Sequence, residues 1–462
     1  MTNNYIYYKT TRSVCPVCHK VIQAKIVFID NCVYMLKFCS THGEFKSLIS
    51  RDRQNYIETL KINKPATYPL KSFKNKFKGC TVDCGLCPEH QQHTCLPIIE
   101  ITDHCNMKCP LCLASNHSSF HMKPGEFRGI IEGLLEAEGI VDLINISGGE
   151  PTLNPDLLEI IDIARRPEIV NVSLSTNGRI FLKNRDLLLS LIDKNVFISL
   201  QFDGFRPAHY KEMRGEDMLY EKLEILSLLE KYSARTSLVM TVVNGLNAED
   251  IPEVVRYFLE KDFIKSLMFQ PVIFVNEIFP YDESKVVTIP DVANKIAAGS
   301  DGIIDRSDIV NLPCSHPSCF ALTYLLKLKG GGYVPLPKLI DIESYLDTIK
   351  NKTIPGLEPD SYSLIQDNIY RLWSSSGIYP QTEKITKTIK DLICQMGRLG
   401  RNPGAPEVFK IVESSIKSIF IHHFMDAYNF DISRAMKCCN QYALHGKKLV
   451  PCCVYNNTLR VR

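Results

Sequence analysis

No hydrophobic run in this 462-residue chain is long enough to cross a bilayer; apolar stretches such as Val196–Leu200 are strand length. The first residues, MTNNYIYYKTTRS, hold no apolar signal-peptide core, so a cytoplasmic location is the expectation. Charge of one sign is not in excess. Lysine and arginine number 54 against 51 aspartates and glutamates, a net of +3, which provides no bulk attraction for polyanions. The local exception is Lys71–Lys78, where lysines interleave with phenylalanines. Low-complexity segments are absent too. What remains, 45% hydrophobic and 23% charged, is a globular balance with length for about two to four domains.

Cysteine is abundant. Eighteen cysteines without an export signal argue against a disulfide framework, because the cytosol keeps thiols reduced. They cluster at metal-ligand spacings: 15/18, 39, 80/84/87/95, 105/109/112, 314/319, 438/439 and 452/453.

Three regions separate: a cysteine-rich 1–97, an alternating strand and helix pattern over 98–285, and 286–462, expected to be mostly helical and to end in four cysteines. Candidate strands in the middle region are Ile98–Thr102, Leu143–Ser147, Val170–Ser175, Phe197–Phe202, Thr236–Val243 and Ser266–Val272, each short and rich in β-branched residues. Helical periods lie between them, as in Phe127, Ile130, Ile131, Leu134 and Leu135. The α/β pattern predicts a partial (β/α)6 barrel of the TIM type, with chemistry at the C-terminal strand ends. A doubly wound open sheet is the alternative.

The first strand runs into Cys105-x3-Cys109-x2-Cys112. Three thiolates at this spacing reach three corners of one cubane cluster and leave one iron open to a ligand. The next strand ends in Gly148-Gly149-Glu150-Pro151, where glycines let a ligand approach the backbone and Glu150 can hold an ammonium group. Ser175 and Asn177 end the third strand and Gln201 and Asp203 the fourth, with polar tips suited to a carboxylate or ribose. The competing assignment for the three cysteines is a zinc knuckle completed by His104 or His117; Asp203 reads equally as a turn residue before Gly204.

CxxxCxxC at Cys105, Cys109 and Cys112 followed by GGEP resembles the radical S-adenosylmethionine superfamily. The resemblance implies a [4Fe–4S] cluster whose open iron chelates S-adenosylmethionine, and one-electron cleavage to a 5′-deoxyadenosyl radical that abstracts hydrogen from substrate. It implies a flavodoxin- or ferredoxin-type electron donor. The residue before the third cysteine, often aromatic in the family, is Leu111 here. The further order CPVC, CSTHGEF, GC-x3-C-x2-C, CSHPSC and PCCVYN resembles one subgroup, the class D pterin methylases and the archaeal tetraether lipid synthases. That implies carbon–carbon bond formation at an unactivated carbon: methyl transfer to a small molecule or cofactor, with a folate-type methyl donor, or the coupling of lipid tails.

Accessory sites follow. Cys15, Cys18, Cys39 and His42 fit one tetrahedral iron or zinc ion, with Cys32 as an alternative to His42. Cys80, Cys84, Cys87 and Cys95 read as a fully ligated auxiliary [4Fe–4S] cluster or structural zinc. Cys314 and Cys319 with one cysteine of each later pair, Cys439 and Cys453 favoured over Cys438 and Cys452, form a second auxiliary site; buried thiols are the alternative, and Cys394 reads as plain core. Val408, Ile411, Val412, Ile416, Ile419, Phe420, His423 and Phe424 read as one apolar helix face, for core packing or a lipid groove, with Lys410 and Lys417 opposite. His209 and Arg214 are candidate cofactor or substrate contacts, or a solvated loop pair. A reading of another class, a non-catalytic iron–sulfur or zinc protein for electron transfer or nucleic acid, rests on Lys71–Lys78, which is short; no nucleic-acid partner is expected.

Overall fold

The computed structural model describes residues 4–62, 64–114, 119–275, 278–351, 381–398, 411 and 413–460. His117, Lys410, Val408 and Val412 lie outside them.

An antiparallel four-stranded ribbon comes first: β1 (Ile6–Val14), β2 (Val21–Ile29), β3 (Cys32–Cys39) and β4 (Gly43–Ser50), in that order across the sheet. The central sheet begins with β5 (Leu96–Glu100), β6 (Val141–Ser147), β7 (Ile169–Thr176), β8 (Phe197–Gln201), β9 (Thr236–Val242) and β10 (Ile264–Pro271). Each pairs in parallel with its sequence neighbour. Helices cross over between them, among them Pro124–Glu138, Leu157–Ala164, Leu219–Lys231 and Ile251–Glu260. Strand order never reverses, which is barrel winding and excludes the doubly wound alternative, whose defining feature is a reversal point.

The sheet also crosses the 285/286 boundary. After β11 (Val310–Asn311), β12 (Phe320–Lys327) and β13 (Tyr333–Pro335) come β14 (Ile416–His422), β15 (Asn440–Leu444) and β16 (Lys448–Pro451). β14 joins β10 in parallel and β15 joins β5 in parallel, so the parallel arc has a strand beyond each end of the six expected. The segment 286–462 thus supplies six strands among the described residues as well as helices such as Ile289–Ala298 and Thr382–Arg398. The apolar "helix" of 416–422 is β14. Its apolar residues at i, i+3 and i+4 mimic a helix stripe, yet alternate residues are buried outward and face inward, as a strand's must. Lys417, expected on an exposed face, is buried.

Among the described residues no ladder closes the two ends of the arc; side chains do. Asn440 Nδ2 on β15 lies 3.3 Å from His422 Nδ1 on β14, and Cys95, Leu322, Tyr324 and Cys439 share one apolar cluster. The parallel strands are not the continuous apolar runs that the sequence reading assumed. Ile99, Ile144, Leu174, Ile198 and Leu238 point outward to the helices, while Asn145, Ser173, Ser199 and Thr241 point inward. Packing every second residue inward around nine strands leaves a cavity of about 480 Å³ inside the barrel. No helix among the described residues is long and apolar enough to cross a membrane.

Candidate active site at the barrel mouth

Cys105, Cys109 and Cys112 follow β5 and line one end of this cavity. Their loop is clamped by backbone. Gly149 N–H donates to Thr102 O and Glu150 N–H to His104 O, both at 2.8 Å. A Cβ on Gly148, whose φ is +137°, would lie 2.1 Å from the Thr102 carbonyl oxygen, and one on Gly149 would lie 2.3 Å from that of His104. The glycines therefore admit the cysteine loop itself, where the sequence reading had a ligand approaching. Glu150 lines the cavity and is also held from behind. It is buried, and its carboxylate accepts from Thr152 N and Oγ1 (3.2 and 2.6 Å), Thr176 Oγ1 (2.7 Å) and Asn177 N (2.7 Å). It ties the second strand tip to the third, and Pro151 starts the short helical turn that follows.

Asn177 then reaches the cysteine loop: its Nδ2 donates to Asn106 Oδ1 at 2.8 Å. Lys222, fully buried on Leu219–Lys231, donates to Asn177 O at 2.6 Å. The sequence reading missed it, although a lysine in register with Ile225, Leu226 and Leu229 on an apolar stripe was a signal. Ser175 lines the cavity with its hydroxyl on Asn145 Oδ1 at 3.0 Å.

At the fourth tip, Asp203 is neither a turn residue nor a cavity contact. It is fully buried in a bidentate pair with Arg214, at 2.7 and 2.9 Å, and Gln201 donates to it from the cavity wall. Arg214 also donates to Thr241 Oγ1 at 2.9 Å. His209 is buried 2.8 Å from Asp250 Oδ2, so His209 and Arg214 are not a solvated pair. Burial pushes the Cys105 thiol up to about 12, with Glu150, Cys109 and Cys112 adding to it. Burial also raises Cys109, against the pull of the Arg214 guanidinium. Three half-buried thiols brought together at one end of the cavity suit a metal centre, whose positive charge would displace their protons on binding.

The other cysteines divide differently from their sequence spacing. In the ribbon, the ligand atoms of Cys15, Cys18, Cys39 and His42 all lie within 4.8 Å of one another, the geometry of four corners around one ion. The Thr41 backbone N–H, opposed by burial and helped by His42, holds the Cys39 thiol down to about 6. Cys32 is at the opposite end of β3, which removes it as an alternative ligand. Cys80, Cys84 and Cys87 surround a small hollow together with His90. Cys95 is not with them: its thiol lies 3.4 Å from His93 Nε2, accepts from Gln92, and shares a cluster with Cys314 and Cys439. Cys314 and Cys319 part as well. Cys438 feels Cys453, Cys439 and Cys319 after its own burial, and Arg434 donates to Cys319 Sγ at 3.3 Å. Cys439 thus lies with Cys95 and Cys314, while Cys438 has Cys453, Cys439 and Cys319 as electrostatic neighbours. Cys452 packs with Ile98 and Tyr442, and Cys394 is exposed where core was expected.

The chain is similar to known proteins over part or nearly all of its length. Residues 99–258 match the radical SAM superfamily, and residues 7–51 match the HMPTM N-terminal zinc ribbon domain. A 7,8-dihydro-6-hydroxymethylpterin dimethyltransferase of Methanocaldococcus jannaschii is 31% identical over 98% of this chain and 94% of its own length. A GTP 3′,8-cyclase of Shewanella denitrificans is 29% identical over 34% of this chain and 48% of its own. Among solved structures, Streptococcus suis SuiB bound to its precursor peptide SuiA aligns with a TM-score of 0.38 at 16% identity, over 46% of each chain. The chain spans about half the length of these last two. Similarity to the dimethyltransferase runs across nearly the whole of both chains, so this protein belongs to the radical SAM superfamily, in the family of that methyltransferase, and is a radical SAM enzyme.

Proposed function

We propose that the protein is a radical methyltransferase acting on a flat heterocyclic small molecule of the pterin kind. Cys105, Cys109 and Cys112 would hold a [4Fe–4S] cluster at the barrel mouth. When bound, that cluster supplies the electron that cleaves S-adenosylmethionine and opens radical chemistry at an unactivated carbon. The chain's own residues have three tasks. The Gly148–Glu150 backbone and Asn177 fix the cysteine loop; Ser175, Asn177 and Gln201 offer polar contacts to the cofactor; and the barrel lumen excludes bulk water from a reactive carbon. Glu150 and Asp203 act at one remove, through Asn177 and Arg214.

The observation that carries this reading is the cavity. It runs from the three catalytic cysteines to Cys95 and Cys439, and its inward wall of Asn145, Asn171, Ser173 and Ser199 offers donors and acceptors that a heterocycle can pair with. The sites at Cys80/Cys84/Cys87, Cys95/Cys314/Cys439 and Cys319/Cys438/Cys453 are our candidates for auxiliary iron–sulfur centres, and Cys15/Cys18/Cys39/His42 for one mononuclear zinc or iron. The opposite wall, with Phe320, Leu322, Phe420 and Phe424, favours a second reading, the coupling of hydrocarbon tails.

The test begins with anaerobic protein, dithionite and S-adenosylmethionine. Wild type should release 5′-deoxyadenosine; Cys105→Ala, Cys109→Ala and Cys112→Ala should release none, and Cys80→Ala some. Addition of 7,8-dihydro-6-hydroxymethylpterin and a methylene-folate-type donor should then yield a methylated pterin by mass spectrometry. Labelled S-methyl cofactor tells which donor supplied the methyl group. Release of 5′-deoxyadenosine by these three single-cysteine variants would refute the assignment of the catalytic loop, and product formation only from isoprenoid lipid would move the chain to the second reading.

A further inference from the structure

The Cys80, Cys84 and Cys87 group adjoins a surface that combines exposed apolar tips with lysines. Tyr68, Leu70, Phe77 and Val82 project from it, with Leu70 76% and Phe77 83% exposed. Four lysines, Lys71, Lys74, Lys76 and Lys78, fall within the same stretch. The β15–β16 turn brings Lys447 and Lys448 alongside: Lys71 and Lys447 sit over the Phe73 ring at 5.4 and 5.5 Å, and Lys74 and Lys448 both approach Gly85. The carboxylates mixed into this patch are already engaged. Glu136 pairs with Lys71 and Lys447, and Glu89 with Lys76. Asp83 accepts from the backbone N–H groups of Phe77, Lys78 and Gly79, which pins the basic segment onto the Cys80–Cys84 loop. Lys74, Lys78 and Lys448 stand outside those ion pairs. The result is positive charge around exposed apolar tips, the composition of a docking site for an acidic partner.

Behind the patch, the cysteine groups connect inward. His90, which lines the hollow with Cys80, Cys84 and Cys87, donates its N–H to Cys87 O at 2.9 Å and sets its Nε2 2.8 Å from Cys438 O. Cys95 N–H donates to Cys439 O at 2.9 Å, and Cys95 and Cys439 line the same cavity as Cys105, Cys109 and Cys112. We infer that the Tyr68–Val82 surface, with Lys447 and Lys448, docks an acidic one-electron donor protein of the flavin or iron–sulfur class, and that the donor's electron enters at the Cys80/Cys84/Cys87 group. The inference rests on the reading of these cysteines as redox centres. The donor loses one electron per turnover; S-adenosylmethionine gains it, and its C5′–S bond breaks.

The experiment uses an acidic bacterial flavodoxin as probe, with the full-length protein handled anaerobically. Binding of oxidised flavodoxin should weaken about tenfold in a Lys74→Glu/Lys78→Glu/Lys448→Glu variant and less in Phe77→Ala, and wild-type binding should weaken with added salt. Turnover driven by reduced flavodoxin should fall in step, while dithionite-driven 5′-deoxyadenosine formation stays at the wild-type level. Flavodoxin affinity and flavodoxin-driven rate unchanged in both variants would overturn the inference, as would retention of an RNA homopolymer on the same lysines with flavodoxin bound equally well to the charge-reversed protein. If wild type makes no 5′-deoxyadenosine even with dithionite, the proposed activity fails, and the binding measurement still decides the patch.

Discussion

Lys417 shows what a single residue can hide. In sequence it is an ordinary basic residue between apolar neighbours. In the structure its ammonium group is buried, donates to Lys261 O at 2.8 Å and lies 4.6 Å from the centre of the Phe258 ring. Burial lowers its pKa to about 7, with Asp262 opposing and Lys265 and Lys327 adding to the effect. The unfolded chain keeps its proton up to the ordinary lysine value of about 10.5, so between those limits the unfolded state binds more protons than the folded one. Stability from this group therefore rises as pH is raised from about 7 and levels off near 10.5. Thermal melts of the wild type should gain stability across that window relative to Lys417→Met, whose curve should lack this component; parallel curves would show that the ammonium stays charged in the fold. Glu150 and Asp203 teach a related lesson. Their places at strand tips were legible, but their partners were not, because a buried carboxylate is satisfied by groups distant in sequence: Thr176 and Asn177 for Glu150, and Arg214 for Asp203.

At the scale of elements, the six central strands were legible because their outward-facing isoleucines, leucines and valines recur between helical periods. β14 and β15 were not. Each depends on pairing with a strand that precedes it by more than 150 residues in β14 and more than 300 in β15, and no local pattern encodes such a partner. The cysteine groups divide for the same reason: Cys80, Cys84 and Cys87 line one hollow from a single loop, while Cys95, Cys314 and Cys439 meet only through the closing of the barrel. The joint between strand tips is the element on which the site depends most. Gly149→Ala would force a Cβ to within 2.3 Å of the His104 carbonyl oxygen, and the neighbour is backbone that cannot rotate away. The clamp on the cysteine loop should open. We expect Gly149→Ala to lose more than about tenfold of its 5′-deoxyadenosine formation, since a displacement of about 1 Å costs far more at a catalytic centre than in the rest of a fold. Metal content at the ribbon should be unchanged, and normal cleavage by this variant would show that the Gly149–His104 contact is not needed.

Across the whole molecule, the N-terminal ribbon and the barrel form one body. Lys37, buried in the ribbon, donates to Ala427 O at 2.6 Å, Ser47 to Tyr428 O at 2.7 Å and Thr11 to Asp431 at 2.8 Å, so the ribbon grips the 427–431 segment that leads into Cys438 and Cys439. Its β4 residue Leu48 packs in the same apolar cluster as Leu111, next to Cys112, and Phe274. A mononuclear ion at Cys15, Cys18, Cys39 and His42 would therefore stabilise the cover over the barrel mouth as well as the ribbon. Small β-ribbons with such a ligand set have little core of their own and draw much of their folding energy from the metal. In Cys39→Ser the ion should be lost by metal analysis, and the melting temperature should fall by roughly 5 °C or more. Metal at the proposed cysteine sites of the barrel should persist, because none of their cysteines lies in the ribbon. Cleavage of S-adenosylmethionine should then become less tightly coupled to substrate turnover, as a loosened cover admits water to the cavity. A variant that loses the ion yet melts as the wild type does, with coupling intact, would make the ribbon an independent appendage, and the contacts at Ala427 and Tyr428 would be incidental to the reaction.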